Sequence, residues 1–386
     1  MRRTKRSYGP EVFAVITGGG TAGHVHPALA VAEALVARGH DAREIRLVGA
    51  RRGMEATLVP AAGFAVTLLP GRGIRRRVTL GNLASAAGLL LACALAVELL
   101  TRWRPSVVVT VGGYAGLPCS LAALLLRIPL VVVNPDAKPG GANRLVARFA
   151  RVSAVAGGGT GLARAVETGV PLRASLAAVV AKDKVELRES FAVGTSRRMV
   201  VVTGGSLGAG RLNTAAIELG KMWADRKDVT LFHLAGERNL AEVELEAEAS
   251  GLVARPGSDE GLDYRLSGYE PRLAELLRAC EVAVCRAGAN TVAELAVLGT
   301  PSVLVPLPSA PSDHQRANAD VLASSGAALV LEDWDCTGER LGEVLDRLLG
   351  DEPSRRAMSE AATAAGHVDS ADRVAGLVET HARMGL

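Results

Sequence analysis

The sequence predicts an α/β protein with two doubly wound domains, each a parallel β-sheet covered by helices on both faces. The chain has 386 residues, which is more than one hydrophobic core usually serves. Short apolar runs rich in valine alternate with segments of helical length, a pattern typical of parallel βα units. The alternation loosens once, between residues 164 and 198, and then starts again.

Ten strands are predicted, five on each side of this interruption. Those before it are Val12–Thr17, Glu44–Val48, Ala65–Leu68, Val107–Val111 and Leu130–Val133. Those after it are Met199–Thr203, Val229–Ala235, Val282–Cys285, Ser302–Val305 and Ala328–Leu331. We therefore expect a first domain over 1–172, a linker over 173–198 and a second domain over 199–365. A helix in 366–386 follows, and whether it packs back on the first domain is open.

The composition narrows the class of protein. Hydrophobic residues make up 49% of the chain and aromatic residues only 3%, so the core is built from Ala, Val and Leu and the chain is not disordered. The net charge of +4 is too mild for a typical nucleic-acid binder and better suits phosphate or anionic lipid. The five cysteines form no CxxC pair, which indicates inert thiols in a reducing compartment and no zinc site.

The segment Val78–Val97 lacks charged residues and is long enough to be considered as a membrane span. Glycine, asparagine and serine dilute its apolar character, and arginines flank it on both sides. We expect a peripheral or buried helix instead. The basic start at Arg2–Arg6 is followed by too short an apolar run for a signal peptide.

The first strand leads into a glycine-rich loop, Gly18–His24, that opens a helix. Backbone N–H groups at such a helix start favour an anion or oxyanion. His24 lies there at the carboxyl end of a strand, where it could accept a proton, although a lone histidine at a helix end is more often bonded to the backbone. For His26, packing before Pro27 is a sufficient role.

Two further glycine loops follow strands, Gly112–Gly116 and Gly204–Gly208. Tight-turn geometry alone could explain each of them. Three such loops at equivalent strand ends nevertheless predict one shared crevice that binds ligand.

The densest motif begins at Cys285 and includes a helix start at Gly288–Thr291. Its N–H groups could hold a pyrophosphate, and Glu294, one turn further, could bridge the hydroxyls of a ribose, unless it is simply an exposed helix-surface carboxylate. Adjacent Asp313 and His314 do not have metal-ligand spacing. Gln315 and Asn318 share a helix face and suit sugar hydroxyls.

Taken together, the motifs resemble those of the MurG family, which transfers N-acetylglucosamine (GlcNAc) from UDP-GlcNAc to undecaprenyl-linked lipid I to make lipid II. The likeness covers most of the chain. It runs in the family's order through GGGTAGHVHPALAVA, VGGYAGLP, PGGANRLVARFA, VTGGSLGAGRLN, CRAGANTVAEL and DHQRANA. The resemblance implies a GT-B fold with two Rossmann-like domains, inverting transfer, and no tightly bound cofactor or metal.

The resemblance also implies site residues. The acceptor would be bound in the N-terminal domain by Thr21, Ala22, Gly23, Gly113, Tyr114, Asn134 and Asn143. The donor would be bound mainly in the C-terminal domain, by Thr21, Gly23, Arg173, Gly205, Ser206, Gly288, Asn290, Thr291, Glu294, Gln315 and Asn318. His24 would be the catalytic base, with Asp136 as the second candidate.

The segment Asn134-Pro135-Asp136 departs from the family pattern, which has Glu first and Asn third. This exchange of a carboxylate leaves other readings open: a related transferase acting on another lipid or a natural product, or a non-catalytic UDP-sugar-binding scaffold. A nucleotide-sugar epimerase is a weaker alternative.

The resemblance implies a peripheral protein at the cytoplasmic face of the bacterial cell membrane. Arg72 and Arg75–Arg77, beside the apolar segment Val78–Val97, could dock on an anionic membrane surface. A fully buried helix with solvated arginines is the alternative. Contacts with other cell-wall synthesis proteins also fit this location, and nucleic acid does not.

Overall fold

The computed structural model describes residues 12–51, 53–70, 80–205, 209–252, 256–257 and 260–383. The chain divides into two compact units. The first unit combines Met1–Ala174 with Asp369–Leu386, and the second unit is Ser175–Val368. Arg72 and Arg75–Arg77, expected to touch the membrane, lie outside the described residues.

The strands and helices follow the predicted alternation. The strands are β1 (Ala14–Gly18), β2 (Ile45–Ala50), β3 (Ala65–Leu69), β4 (Val107–Gly112), β5 (Leu130–Asn134), β6 (Val152–Val155), β7 (Ala165–Glu167), β8 (Arg198–Thr203), β9 (Val229–Leu234), β10 (Asp263–Ser267), β11 (Val282–Cys285), β12 (Ser302–Leu304) and β13 (Ala328–Val330). The helices are α1 (Ala22–Ala37), α2 (Glu55–Ala61), α3 (Leu80–Trp103), α4 (Gly113–Leu125), α5 (Gly141–Ala147), α6 (Ser175–Val180), α7 (Lys184–Ser190), α8 (Gly210–Met222), α9 (Leu240–Ala249), α10 (Leu273–Ala279), α11 (Ala289–Leu298), α12 (His314–Ser324), α13 (Gly338–Gly350), α14 (Glu352–Ala365) and α15 (Ser370–His381).

Each unit contains one parallel sheet. The first has the order β3-β2-β1-β4-β5-β6-β7 and the second the order β10-β9-β8-β11-β12-β13. The central strands are buried, for example Val107–Gly112 along its whole length. Helices cover both faces, which confirms the predicted α/β class with two Rossmann-like, doubly wound units.

Sheet order fixes where the loops lie. In the first unit β1 pairs with β4, and β4 pairs with β5, all in parallel. The loops that follow these three strands therefore leave the same edge of the sheet side by side. In the second unit β8, β11 and β12 are neighbours in the same way.

Three strands were not predicted from the sequence: β6, β7 and β10. β7 is an exposed edge strand of three residues, and β10 carries the polar sequence DYRLS at the other sheet's edge. Edge strands need no continuous apolar run, so the periodicity that predicts central strands is weak in β7 and β10. β6 is an inner, buried strand, but it has only four residues, VSAV, with a serine in its apolar run.

The segment expected to be a linker, 173–198, is mostly folded into the second unit. It forms α6 and α7, which contact α10, and α6 also contacts α11. Buried Leu176, Val179 and Leu187 anchor these helices. On α7, Glu186 and Glu189 are exposed, whereas Arg188 is buried and pairs with Glu281 at 2.7 Å. These charged side chains are compatible with a short helix packed on one face.

The C-terminal helix α15 belongs to the first unit and packs on α1. Val374, Ala375 and Val378 are fully buried there. The buried Ser370 hydroxyl donates to the Val170 carbonyl at 2.6 Å. The chain end thus completes one face of the first sheet.

Helix α3 lies on the opposite face of that sheet, with Ala92, Ala96 and Leu100 buried in the core that it shares with α4 and α5. Leu90 and Leu91 on α3 are exposed. In the part of the chain that the structure describes, no helix combines the length and apolar character needed to cross a membrane.

Candidate active site

The loop after β1 has an extended, glycine-dependent backbone. Gly18, Gly19 and Gly20 have φ angles of 150°, 143° and 98°, a range in which residues with side chains are strained. Thr21 is the N-cap of α1, and its Oγ1 lies 3.2 Å from His24 Nδ1. His24 therefore stands in the first turn of α1 with one ring nitrogen engaged by the preceding threonine.

The second glycine loop packs directly against the first. A Cβ added at Gly113 would lie 2.5 Å from the Gly19 carbonyl oxygen, closer than real Cβ contacts allow. A Cβ added at Gly20 would lie 2.8 Å from Cε1 of Tyr114. The structure thus brings the first two predicted loops together, with Thr21, Ala22, Gly23, His24, Gly113 and Tyr114 in one region of the first unit. The third loop belongs to the second unit.

Asn134 and Asn143 are almost fully buried and bonded to each other. Asn143 Nδ2 donates to Asn134 Oδ1 at 3.1 Å, and Asn134 Nδ2 donates to the Asp136 carbonyl oxygen at 2.6 Å. Asn143 also touches the space beside Gly112, where an added Cβ would meet Oδ1 at 2.9 Å. Both amides therefore shape the loop after β5, while Asp136 is only partly buried.

Sequence reasoning missed Glu55, the first residue of α2, which is 3% exposed. Its Oε1 accepts from Gly20 N at 2.9 Å and from Ala50 N at 3.2 Å. The signal that could have revealed it is the pair Gly49 and Gly53, where added Cβ atoms would collide with the Glu55 side chain at 2.7 and 1.7 Å.

Arg173, expected near the donor, is held by α1 in the first unit. Its Nε donates to Glu33 Oε1 at 3.0 Å, in a pair whose arginine side chain is 42% exposed. His26 lies close by, and burial followed by the Arg173 charge lowers the pKa of its imidazole. Glu33 was not identified from the sequence, because its partner is 140 residues away.

In the second unit, α11 begins directly after β11 with Gly288 as its N-cap. Asn290, Thr291 and Glu294 follow on its first turns and are partly buried. Burial raises the pKa of the Glu294 carboxyl to about 7. The Glu294 side chain is thus a partly buried carboxyl group with a pKa near neutral pH, and not the exposed surface carboxylate that was the alternative.

Helix α12 places the two predicted amide side chains near the same region of the second unit. Asn318 Nδ2 donates to the Ala287 carbonyl at 3.2 Å, one residue before Gly288. Gln315 Oε1 accepts from Leu307 N at 3.0 Å. These contacts bring Gln315 and Asn318 to the carboxyl ends of β11 and β12.

Gly205, after β8, is exposed and has a φ of 78°. Ser206, the other predicted phosphate contact in this loop, lies outside the described residues. Arg286, which the sequence reading passed over, is buried beneath α11 and pairs with Asp333 at 2.6 Å. Its guanidinium also donates to the Val305 carbonyl at 3.1 Å, so it ties the start of the loop before α11 to the end of β12 and to Asp333.

In the described part of the chain, no group of three or more His, Cys, Asp or Glu side chains is arranged to hold a metal ion. The cysteines are free thiols, and Cys119, Cys280, Cys285 and Cys336 are buried. Burial raises the pKa of the Cys285 thiol to about 12, so it stays protonated and unreactive.

Both units are similar to known proteins. The glycosyltransferase family 28 N-terminal domain model matches residues 14–155, and the C-terminal domain model matches residues 199–374. A UDP-N-acetylglucosamine--N-acetylmuramyl-(pentapeptide) pyrophosphoryl-undecaprenol N-acetylglucosamine transferase from Desulforudis audaxviator is 34% identical, across 96% of this chain and 99% of the relative. A protein of the same name from Acidothermus cellulolyticus is 38% identical, across 95% and 96%.

Solved structures agree. The crystal structure of Acinetobacter baumannii MurG is similar with a TM-score of 0.73 and 25% identity, covering 96% of this chain and 99% of that one. A putative UDP-N-acetylglucosamine 2-epimerase from Listeria monocytogenes shares the fold alone, with a TM-score of 0.68 and 15% identity over 96% of each chain. The two parallel-sheet units, both family models and the curated relatives agree: the chain belongs to the MurG family of glycosyltransferase family 28.

Proposed function

We propose that this protein transfers GlcNAc from UDP-GlcNAc to the C4 hydroxyl of the MurNAc residue in lipid I, with inversion at the anomeric carbon, giving lipid II. Its relatives carry the name of this transferase over nearly their full length. The observation that carries the proposal is local: His24, bonded to Thr21, stands where two glycine loops of the first unit pack together.

The reaction is a single displacement. A base removes the proton of the acceptor C4 hydroxyl, whose oxygen forms a bond to C1 of GlcNAc as the C1–O bond to UDP breaks. UDP leaves with the electron pair of that bond, and attack opposite to the leaving group inverts C1. His24 is the first candidate for the base because an imidazole can accept a proton near neutral pH, and partly buried Asp136 is the second.

The donor would be held chiefly by the second unit. The N–H groups at the start of α11, from Gly288 to Thr291, would face the diphosphate, and the Gly205–Ser206 loop would approach it from β8. Glu294 would accept hydrogen bonds from both ribose hydroxyls, a use that suits a carboxylate enclosed away from bulk water.

The amide side chains Gln315 and Asn318 would bind the sugar hydroxyls of GlcNAc. Arg173 would stabilise the charge on departing UDP, which requires it to exchange its contact with Glu33 for the phosphate. No metal enters this scheme, since fixed dipoles and a guanidinium supply the positive potential.

Binding to an anionic membrane surface is part of the proposal. Helices α3, α4 and α5 pack side by side on one face of the first sheet. Large apolar side chains on and next to these helices are exposed: Leu90 and Leu91 of α3, Leu121 and Leu125 of α4, Leu145 of α5, and Phe149 two residues after α5. Exposed Arg127, Arg144 and Arg148 lie among these positions. Apolar side chains flanked by arginines suit the headgroup region of the cytoplasmic leaflet, where lipid I would be met.

The test is transfer by purified protein with UDP-GlcNAc and lipid I, following UDP release and the anomeric configuration of the product. A β-linked disaccharide supports the proposal. Because Asn134 and Asp136 depart from the family pattern, a panel of other lipid and small-molecule acceptors should be run in parallel. Transfer to one of these and not to lipid I would identify a related transferase, and donor binding without turnover would identify a scaffold. Conversion of UDP-GlcNAc alone would identify an epimerase.

A further inference from the structure

The carboxylate of Glu55 lies directly beneath the Gly18–Gly20 loop. Its Oε1 bridges two backbone amides on different segments, Gly20 N at 2.9 Å and Ala50 N at 3.2 Å. Oε2 is buried, and among the described residues it has no hydrogen-bond partner. A buried carboxylate of this kind is costly and persists only where its bonds are needed.

Three glycines leave the room that the Glu55 side chain occupies. Cβ atoms added at Gly19, Gly49 or Gly53 would come within 1.9, 2.7 and 1.7 Å of it. Gly19 and Gly49 belong to adjacent strand ends, since β1 pairs with β2. Glu55 therefore joins three glycine positions from two loops around one carboxylate.

A small cavity of about 10 Å³ adjoins this carboxylate. It is lined by Gly18, Gly49 and Glu55 together with apolar side chains of β1, β2 and α1. This volume is about the room needed for one water molecule, which could serve Oε2. On this side, the loop therefore adjoins the Glu55 carboxylate and a small cavity, while the Gly112–Tyr114 segment packs against it from β4.

The Gly18–Gly20 loop depends on such support. Three consecutive glycines with positive φ have large conformational freedom, and fixing them costs more entropy than fixing other residues. The described contact that fixes the Gly20 amide is the one to Glu55. Gly20 immediately precedes Thr21, the N-cap of α1 and partner of His24.

We propose that Glu55 is a positioning residue: by accepting from the Gly20 amide it fixes the glycine loop, and through it the Thr21–His24 pair and the adjoining acceptor surface at Gly113 and Tyr114. Glu55 itself does not touch substrate. The consequence for turnover rests on the proposed function, whereas the consequence for loop order does not.

Three substitutions separate the role of the acceptor atom from that of charge and volume. Glu55→Gln keeps an amide oxygen where Oε1 accepts, Glu55→Asp keeps the charge but withdraws it by one methylene, and Glu55→Ala removes the acceptor. Ser153→Ala is the matched control, because it deletes the hydrogen bond of another buried side chain of the same unit, to the Ala163 carbonyl at 2.8 Å, away from the loop.

The first measurement is amide hydrogen exchange of a peptide spanning residues 17–24, without substrate. We expect Glu55→Ala and Glu55→Asp to speed exchange there by about tenfold or more, and Glu55→Gln and Ser153→Ala to leave it close to that of the unsubstituted protein. Fast exchange in the Gln variant or unchanged exchange in the Asp variant would overturn the proposal. If Glu55→Ala does not fold, the Gln and Asp variants decide.

The second measurement is steady-state kinetics per folded molecule. Glu55→Asp should raise KM for the lipid acceptor severalfold and lower kcat by about tenfold, while KM for UDP-GlcNAc stays within about twofold. Partial unfolding alone would change neither KM, so unchanged KM for the acceptor at a reduced melting temperature would reduce Glu55 to a structural role. If the unsubstituted protein transfers nothing to lipid I, the proposed function fails, while the exchange result still decides the role of Glu55 in the loop.

Discussion

Thr21 Oγ1 lies 3.2 Å from His24 Nδ1, and this contact decides which nitrogen of the imidazole can take a proton. If Nδ1 carries the hydrogen and donates it to Thr21, Nε2 is the basic nitrogen. If instead the threonine hydroxyl donates to Nδ1, Nε2 carries the hydrogen and cannot act as a base. Catalysis by His24 through Nε2 therefore requires the first arrangement, in which Thr21 orients the ring.

Replacing His24 with Ala should lower kcat by about two orders of magnitude, as expected for loss of a general base. Asp136→Asn should have a smaller effect. UDP release in the presence of lipid I measures both. Thr21→Ser, which keeps the hydroxyl, should retain more activity than Thr21→Val, which has the same shape without it. Near-normal turnover of the His24 variant together with a large loss in Asp136→Asn would move the role of the base to Asp136.

Part of the candidate site could be predicted from the sequence alone. Each glycine loop was predicted because strand, turn and helix are adjacent in the chain and their patterns are local. That Gly19 and Gly113 pack against each other follows from sheet order, since parallel strands that are neighbours deliver their loops to one edge. The sheet topology therefore explains why two motifs that are distant in the sequence lie together in the first unit.

Contacts between segments that are distant in the sequence could not be predicted from local patterns. Glu55 reaches Gly20 across 35 residues and Arg173 reaches Glu33 across 140, and neither pair has a spacing that a periodic pattern could reveal. The polar edge strand β10 was missed for a different reason. Its register with β9 is held by ladder hydrogen bonds and by the Thr230–Asp263 contact at 3.1 Å instead of an apolar run.

The role of Arg173 can be tested because Arg173 and its partner Glu33 can be replaced one at a time. Arg173→Ala should lower kcat/KM for UDP-GlcNAc by about 10- to 100-fold, the usual effect of losing a charged hydrogen bond to phosphate. Glu33→Gln breaks the same surface pair but leaves the guanidinium in place. Since an exposed ion pair contributes little to stability, this variant should fold normally and keep or improve kcat/KM. Equal losses in both variants would mean that Arg173 acts by holding α1 and not by contacting UDP.

The buried carboxyl group of Glu294 predicts how the stability of the unliganded protein changes with pH. Burial raises the pKa of its carboxyl from 4.5 to about 7, so the folded protein favours the protonated form in this window. As pH rises from 4.5 through 7, the unfolded chain loses this proton while the folded protein retains it, so folding must take up a proton that becomes scarcer, and the unliganded protein loses stability relative to Glu294→Gln. At pH 8 the Gln variant should be more stable by on the order of 3 kcal/mol, and at pH 4 the two should unfold alike. Denaturant unfolding at both values measures this difference.

The donor should show the opposite trend, because the ionised carboxylate is the better acceptor for two ribose hydroxyls. Affinity of the unsubstituted protein for UDP should rise as pH increases through about 7. Glu294→Gln should bind UDP more weakly at pH 8 and lose this part of the pH dependence. Titration calorimetry with UDP tests it, and an equal pH dependence in both proteins would remove Glu294 from the nucleotide site.

The membrane surface can be tested on single exposed side chains. Leu125 is 71% exposed and Phe149 65% exposed, so replacing either by Ser should cost the fold little. If these side chains enter the headgroup region, each replacement should weaken binding to vesicles containing anionic lipid by about 10- to 100-fold, since burying one large apolar side chain contributes roughly 1.5–3 kcal/mol. Vesicle sedimentation measures the change.

Leu245→Ser is the matched control for this surface, since Leu245 is 68% exposed but lies on α9 of the second unit. It should leave vesicle binding unchanged. Arg148→Gln, next to Phe149, should weaken binding to anionic vesicles at low salt but have no effect on neutral ones, because its contribution is Coulombic and falls off within a Debye length. Loss of binding in Leu245→Ser, with Phe149→Ser unaffected, would place the lipid-facing surface on the second unit and rule out the layer formed by α3, α4 and α5.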